Sequence, residues 1–158
     1  MKWGLTIAFI SSVAFCARAD QPAATEQDIA CLARNVYFEA RNQSIEGQLA
    51  VAHVTLNRLE ESAEPRTICD IVYRPGLFSW TRDERKHDGQ IWEKTAWETA
   101  RWVAMIAVAE PAADPVRGST FYHAVSVEPY WASALVRVGQ IGDHVFYARP
   151  ARGTIRSP

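Results

Sequence analysis

Two amphipathic patterns follow one another early in the chain and restrict the folds available to it. Between residues 26 and 41, apolar side chains recur at three- and four-residue intervals, which is typical of a helix with one buried face. Thr25 precedes this segment and can cap its N-terminus. A second helix is predicted from a Ser44 cap to about Leu59, and its middle, LAVAHV, is apolar on nearly every side. This second helix should therefore be the central, buried one.

The remaining patterns predict less helix and some strand. A turn-rich segment comes next, in which we expect only a short helix after Thr67. A third helix is predicted from Trp92 to Ala109, where EPAADP ends it. STFYHAV, ALVRV and HVFYAR are typical of short strands, the last two joined as a hairpin around Gly139 to Gly142. The predicted fold class is α+β: one mostly helical domain with a small C-terminal β-hairpin or sheet.

The first 19 residues have the three-part pattern of a secretory signal peptide. Lys2 precedes an apolar run from Leu5 to Phe15, and the small-residue site Ala17-Arg18-Ala19 follows it, so we expect cleavage there and export to the periplasm or beyond the cell. Lipid attachment at Cys16 is the alternative, but Phe15 stands where such signals need a small residue. The apolar run is far shorter than the roughly 20 residues that cross a bilayer, so no membrane span is expected after cleavage.

Cleavage would leave 139 residues, which is enough for one domain with its own core. We assign residues 20–25 to a disordered lead, residues 26–148 to the domain and residues 149–158 to a flexible tail. The part after residue 19 has 15 basic and 18 acidic side chains, and this balance indicates no nucleic-acid partner. We expect a monomer.

Cysteine usage is consistent with export. Loss of Cys16 leaves Cys31 and Cys69, an even number in an oxidising compartment, so a disulfide between them is predicted. Two buried free thiols are the alternative. A zinc site is disfavoured because neither cysteine has a partner at CxxC spacing.

Glu39 stands out because it is a carboxylate on the shoulder of an apolar helix face. It falls in the last turn of the first predicted helix, where the helix dipole disfavours an anion, and Tyr37 and Phe38 precede it. Partial desolvation and the dipole both favour the protonated form, which a general acid needs. The competing interpretation is a salt bridge to a nearby arginine, namely Arg34, Arg41 or Arg58.

Four ordered blocks of this sequence resemble the SleB-type cell-wall hydrolases, the family of the spore cortex-lytic enzymes. They are CLARNVYFEARNQSIEGQLAVAHVTLNRL (31–59), ICDIVYRPGLFSW (68–80), FYHAVSVEPYW (121–131) and IGDHVFY (141–147). The resemblance covers roughly residues 27–148. It implies a lysozyme-like domain of the lytic-transglycosylase type that cleaves peptidoglycan between N-acetylmuramic acid and N-acetylglucosamine.

The resemblance also implies that Glu39, the glutamate of the EAR motif, is the catalytic acid. A lytic transglycosylase can work with one carboxylate and with no metal or other cofactor, whereas most glycoside hydrolases use two. Possible second carboxylates are Glu46, Asp70, Asp83 and Asp143, although each is better explained as a helix cap or a solvated turn residue.

The resemblance further indicates two walls of a substrate groove. One is the loop of Phe78, Ser79 and Trp80, where the tryptophan could stack on a sugar; the alternative is a loop that two aromatic rings anchor to the core. The other wall would hold Tyr122, His123, Trp131 and His144. For both histidines, function and structural hydrogen bonding stay open.

Other prominent residues are better explained by packing. We interpret His53, inside the apolar second helix, as a core histidine, and Trp92, Trp97 and Trp102 as core and helix packing, because five-residue spacing does not keep them on one face.

The chain departs from the family in two places. Asn42-Gln43 stands where relatives commonly have Gly-Glu, and Leu77 and Arg82 lie near the positions of an extra cysteine pair, so no second disulfide is expected.

Two other functions compete with glycan cleavage. A zinc amidase would cut the muramyl-peptide bond, but the four histidines include no HExxH motif and no pair four residues apart on a helix. A non-catalytic peptidoglycan-binding module is the other, and the retention of Glu39 argues against it.

Overall fold

A computed structural model of the protein describes residues 24–64, 66–83 and 90–151. The predicted signal peptide, most of the predicted lead and most of the predicted tail lie outside these residues. None of the helices in the described part of the chain combines the length and apolar character that a membrane crossing needs.

Four α-helices make up most of the domain. They are α1 (Glu26–Ala40), α2 (Ile45–Glu60), α3 (Ile68–Val72) and α4 (Lys94–Ala109). Short 3-10 helices cover Ser79–Arg82, Pro111–Ala113 and Ala132–Ala134. The predicted caps of the first two helices are confirmed, because the side chains of Thr25 and Ser44 each accept a hydrogen bond from the first turn. Thr67 caps α3 in the same way.

The core forms where α1 packs against the other three helices. Leu32, Val36 and Tyr37 of α1 are fully buried there. Tyr37 also compensates for the missing side-chain cap of α4, since its hydroxyl accepts hydrogen bonds from the backbone N–H groups of Trp92 and Glu93, both at 3.1 Å. α2 is buried from Ala50 to Thr55, as predicted, and His53 within it is only 2% exposed.

The predicted disulfide is present and joins α1 to α3. Cys31 and Cys69 are bonded and close a loop with a sequence separation of 38. Asp28, one turn earlier on α1, reinforces this junction. Its carboxylate accepts hydrogen bonds from the backbone N–H groups of Ile68 at 2.9 Å and Cys69 at 3.3 Å.

Three antiparallel strands form the sheet, which has the order β1-β3-β2. They are β1 (Phe121–Ala124), β2 (Val136–Ile141) and β3 (His144–Ala148). The hairpin was predicted around Gly139 to Gly142, but Gly139 lies inside β2 opposite Phe146, and the turn is confined to Gly142 and Asp143. Gly142 has φ = 55°, which glycine adopts without strain, so the turn forms there.

The interpretation of the three tryptophans is confirmed only in part. Trp97 is partly buried and its ring meets Tyr37 edge to face, with centroids 6.1 Å apart. Trp92 precedes α4 and is 59% exposed, and Trp102 is 50% exposed on the outer side of that helix. Five-residue spacing turns Trp102 by more than a third of a circle from Trp97, so α4 partly buries Trp97 and exposes Trp102.

Candidate active site

Glu39 and Tyr122 form the centre of the candidate site. Glu39 lies in the last turn of α1, and the Tyr122 hydroxyl, on β1, donates a hydrogen bond of 2.9 Å to its Oε2. Burial raises the pKa of Tyr122 well above its ordinary value, and the nearby Glu39 carboxylate raises it further. The phenol therefore stays protonated at neutral pH and remains a hydrogen-bond donor.

The C-terminal end of α2 holds β1 against α1. Asn57 donates hydrogen bonds to Asp114 Oδ2 at 3.0 Å and to the backbone oxygen of Ser119 at 3.1 Å. Arg58 Nε donates to the backbone oxygen of Thr120 at 2.7 Å. These bonds fix the chain immediately before β1, and so they set the position of Tyr122 relative to Glu39.

Arg58 also acts electrostatically on the site. Burial lowers the pKa of its guanidinium, whereas interaction with the Tyr122 and Glu39 pair raises it. Arg41, which lies two residues after Glu39 in the sequence, forms an ion pair with Glu93, with Nε and Oε1 3.0 Å apart.

A cavity of about 430 Å³ opens beside Glu39. Its polar lining comes from the loop after α1, from the segment after β1 and from the β2–β3 turn: Asn42, Gln43, Ser126, Asp143 and His144. A cavity of this size with several converging polar groups suits a ligand rich in hydroxyl and amide groups. Of the proposed second carboxylates, Asp143 is the one in this lining, while Asp70 is engaged in the capping box of α3.

Gln43 and Asp143 join two walls of the cavity. The Gln43 side-chain Nε2 donates to Asp143 Oδ2, and its Oε1 accepts from the Asp143 backbone N–H, both at 3.0 Å. A side chain at Gly142 would collide with the Gln43 amide oxygen, so the absence of a Cβ there permits the close approach. We call this pair of hydrogen bonds the Gln43–Asp143 clamp.

His144 lies on the same face of the sheet as Tyr122. The two rings meet edge to face, with centroids 5.1 Å apart, and His144 is only 8% exposed. Burial lowers the pKa of His144, with Asp143 opposing, so the imidazole is neutral at neutral pH. Its Nδ1 has no hydrogen-bond partner in the described part of the chain. His144 therefore lines the cavity, while its Nδ1 is buried and is not exposed at the wall.

His123 lies on the other face, because side chains alternate along β1, and Trp131 packs against it there. His123 Nδ1 is 2.9 Å from the backbone oxygen of Ala124, and Nε2 is 3.0 Å from the Tyr147 hydroxyl. The carbonyl can only accept, so Nδ1 donates the first of these hydrogen bonds. The Trp131 ring packs on His123 and on Tyr147, with centroids 5.7 Å away in each case. Both residues support the sheet, and neither lines the Glu39 cavity.

Phe78 and Trp80 were predicted to lie in a groove wall, with Trp80 stacking on a sugar, but both are buried, with 2% and 4% of their surface exposed. Trp80 stacks on Phe38 with centroids 4.8 Å apart, and its Nε1 donates to Asn35 Oδ1 at 2.9 Å. The alternative, a loop anchored to the core, describes these two residues. Ser79 between them is exposed and does not line the Glu39 cavity.

Sequence reasoning missed several residues of the site. Gln43 was noted only as a departure from the family, and Asn42 and Ser126 carried no signal of their own. In the described ranges, no three histidine, cysteine, aspartate or glutamate side chains come together as a potential metal site.

Solved structures share this fold. The chain is similar to the catalytic domain of the Bacillus cereus SleB protein, with a TM-score of 0.66 and 27% identity, over 84% of this chain and 99% of that one. It is equally similar to the catalytic domain of the germination-specific lytic transglycosylase SleB from Bacillus anthracis, with a TM-score of 0.65 and 28% identity, over 82% of this chain and 100% of that one.

Sequence comparison agrees with the structural one. Spore cortex-lytic enzymes from Oceanobacillus iheyensis and Bacillus subtilis are each 32% identical over 123 residues, or 77% of this chain. The chain spans 42% and 38% of these two relatives, so it corresponds to less than half of their length.

Fold and site together define a SleB-type domain. Residues 42–147 match the model of the Cell Wall Hydrolase family, and the chain belongs to that family of enzymes. Glu39 lies three residues before the matched range, so its role is argued from the site itself.

Proposed function

We propose that this protein is exported and, as a monomer, cleaves the glycan strands of peptidoglycan, with Glu39 as its single catalytic acid and base. The observation that carries the proposal is the Glu39 carboxylate on the wall of a polar cavity, held by the Tyr122 hydroxyl at 2.9 Å. Similarity to the catalytic domain of a lytic transglycosylase supports this reaction class. The secretory pattern and the Cys31–Cys69 disulfide support export.

The reaction proceeds in two proton transfers. Protonated Glu39 donates its proton to the glycosidic oxygen as the bond from that oxygen to C1 of the muramyl residue breaks. The resulting Glu39 carboxylate accepts the proton of the muramyl 6-hydroxyl while that oxygen bonds to C1, so the product is a 1,6-anhydro sugar. Tyr122 holds the carboxylate in place during both transfers, and His144 and Asp143 are the nearest candidates to hydrogen-bond the sugar.

The test compares the mature protein with Glu39→Gln on purified peptidoglycan. Released fragments are analysed by mass spectrometry without prior reduction. We expect anhydro-muramyl products from the wild type and a loss of at least about 100-fold in the variant, since general acid catalysis contributes on that scale. Glu46→Gln is the matched control, because Glu46 is an exposed residue in the first turn of α2 and lies outside the cavity.

The other products identify the competing functions. Reducing-end muramic acid would indicate hydrolysis and would make Asp143, in the same cavity, the candidate second carboxylate. Release of stem peptides alone would support an amidase, and binding without any release would support a non-catalytic module.

A further inference from the structure

A second cavity, of about 410 Å³, lies at the opposite end of β1 from the Glu39 cavity. Thr120 and Phe121 line it where β1 begins, whereas Ala124 and Val125 line the Glu39 cavity where β1 ends. Because a strand advances about 3.3 Å per residue, the four steps from Thr120 to Ala124 separate the two cavities by about 13 Å. No residue lines both of them.

The second cavity has an excess of positive charge. Arg58, Arg74 and Arg149 line it together with one carboxylate, that of Glu61. Glu61 pairs with Arg149, with Oε2 and Nε 3.6 Å apart. Arg74 has no ion pair in the described part of the chain. Arg58 forms none within 4 Å there either, although the Glu39 and Glu61 carboxylates act on its charge. The cavity therefore suits an anion.

Two residues of its lining also have unused hydrogen-bonding atoms. Arg58 Nη1 and Thr120 Oγ1 are buried and have no hydrogen-bond partner among the described residues. Arg58 is nevertheless held in place, because its Nε donates to the Thr120 backbone oxygen at 2.7 Å and its guanidinium lies 5.0 Å from the centre of the Phe78 ring. Because neither atom is accessible to solvent, the charged groups that a ligand can reach in this cavity are the exposed side chains of Arg74 and Arg149.

We propose that the second cavity binds a carboxylate of a peptidoglycan stem peptide. This inference rests on the proposed function, in which a muramyl residue occupies the Glu39 cavity. The stem peptide branches from that residue, carries free carboxylates, and in extended form covers about 13 Å with four residues. Arginine fits a carboxylate well, because two of its N–H groups can bond the two oxygens at once. The second cavity thus makes the enzyme selective for strands that retain their peptides.

The first test measures binding without turnover. The Glu39→Gln protein is titrated with a synthetic stem tetrapeptide, and the affinity is followed by NMR or calorimetry. We expect Arg74→Gln combined with Arg149→Gln to weaken binding at least about tenfold, because each removes a hydrogen bond between charged groups. Arg101→Gln combined with Arg137→Gln is the matched control, since it removes the same charge from exposed positions outside both cavities.

A modified peptide and a simple carboxylate test whether the second cavity recognises the carboxylates of the stem peptide in particular. A tetrapeptide with its carboxylates converted to carboxamides should bind at least about tenfold more weakly than the acid form. Acetate should not displace the acid form at equal concentration. Equal affinity for the carboxamide peptide, or equal competition by acetate, would overturn the proposal.

The second test uses turnover and covers the case of weak affinity for a free peptide. Enzyme that retains Glu39 is given intact peptidoglycan and, separately, glycan strands stripped of their peptides. The Arg74 and Arg149 double variant should lose kcat/KM about tenfold on intact material only. Equal loss on both substrates, or no loss on either, would overturn the inference. If the wild type cleaves neither substrate, the proposed function fails, while the binding test still decides on the second cavity.

Discussion

At the scale of single residues, the relation between Glu39 and Tyr122 dominates. The two residues are 83 positions apart, and the fold brings the phenol to 2.9 Å from the carboxylate. Because burial raises the pKa of Tyr122, the hydroxyl stays protonated over the whole range in which the enzyme would work. Tyr122 is therefore a permanent donor that fixes one oxygen of Glu39.

Replacing Tyr122 by phenylalanine removes this donor and keeps the ring. We expect kcat on peptidoglycan to fall about 10- to 100-fold, because a hydrogen bond to a charged group is worth about 1.5 to 3 kcal/mol. The release of muropeptides measures the effect, and thermal unfolding checks that the fold is kept. Tyr130→Phe is the control, since Tyr130 is 93% exposed and should retain wild-type kcat. Wild-type kcat in Tyr122→Phe would mean that the hydrogen bond has no role in the reaction.

Sequence pattern identified Glu39 but not its surroundings. The helical period placed Glu39 on the shoulder of a buried face, and the structure shows it there, in the last turn of α1. The helical period does not show which residue contacts Glu39 from outside the helix, because Tyr122 comes from a strand that is distant in the sequence. Trp80 was misassigned for a related reason. A turn-rich loop has no period that shows which way a ring points, and its partner Asn35 is 45 residues away.

At the scale of elements, helices were more predictable than the hairpin. Caps and apolar periodicity are local signals, and they predicted α1 and α2 to within one residue at each end. The turn between β2 and β3 depends on a contact between distant segments. Gly142 rather than Gly139 turns the chain, because the Gln43 side chain fills the space beside Gly142.

The Gln43–Asp143 clamp ties the loop after α1 to the β2–β3 turn. An amide can donate to Asp143 and accept from its backbone at the same time, which a carboxylate at position 43 could not do. The clamp therefore holds two walls of the Glu39 cavity together without depending on the protonation of a second acid.

Gln43→Glu tests the clamp by placing a carboxylate against Asp143. We expect the docked turn to lose about 1 kcal/mol, or about a fivefold change in its population, and kcat/KM at neutral pH to fall accordingly. Activity relative to wild type should recover towards pH 4, where a glutamate of ordinary pKa is protonated and can donate again. A pH profile of turnover measures this. Gln27→Glu, with the same added charge in the exposed first turn of α1, should show no such recovery.

At the scale of the whole molecule, the junction between α1 and α3 links two of the helices that form the core. The Cys31–Cys69 disulfide closes this junction, and the chain-entropy model values a loop of this size at about 3 to 4 kcal/mol. Asp28 adds four hydrogen-bonding partners next to it: the hydroxyl and backbone N–H of Thr25, and the backbone N–H groups of Ile68 and Cys69. Sequence predicted the disulfide, but a contact between Asp28 and a backbone N–H 40 positions away has no local signal in the sequence.

Asp28 should make the stability of the domain depend on pH. Burial alone would raise the pKa of Asp28, but the hydrogen bonds from Thr25, Cys69 and Ile68 lower it overall. A carboxyl whose pKa is lower in the folded state stabilises the fold above its unfolded pKa of about 3.9, and that contribution is lost as the pH falls through the lower, folded value. Stability should therefore decline below about pH 4 in part through this one residue.

Asp28→Asn isolates this contribution. We expect the free energy of unfolding at pH 7 to fall by about 1 to 3 kcal/mol, because an amide is a weaker acceptor for several buried N–H groups. The difference from wild type should shrink as the pH falls through the lowered pKa of folded Asp28, because the wild-type carboxylate is then protonated as well. Urea denaturation at a series of pH values measures both effects. Asp70→Asn is the control, since this exposed carboxylate accepts only the Thr67 capping bonds and should cost about 1 kcal/mol or less. An equal loss in both variants, or a difference from wild type that stays constant down to pH 2, would show that the α1–α3 junction does not depend on the charge of Asp28.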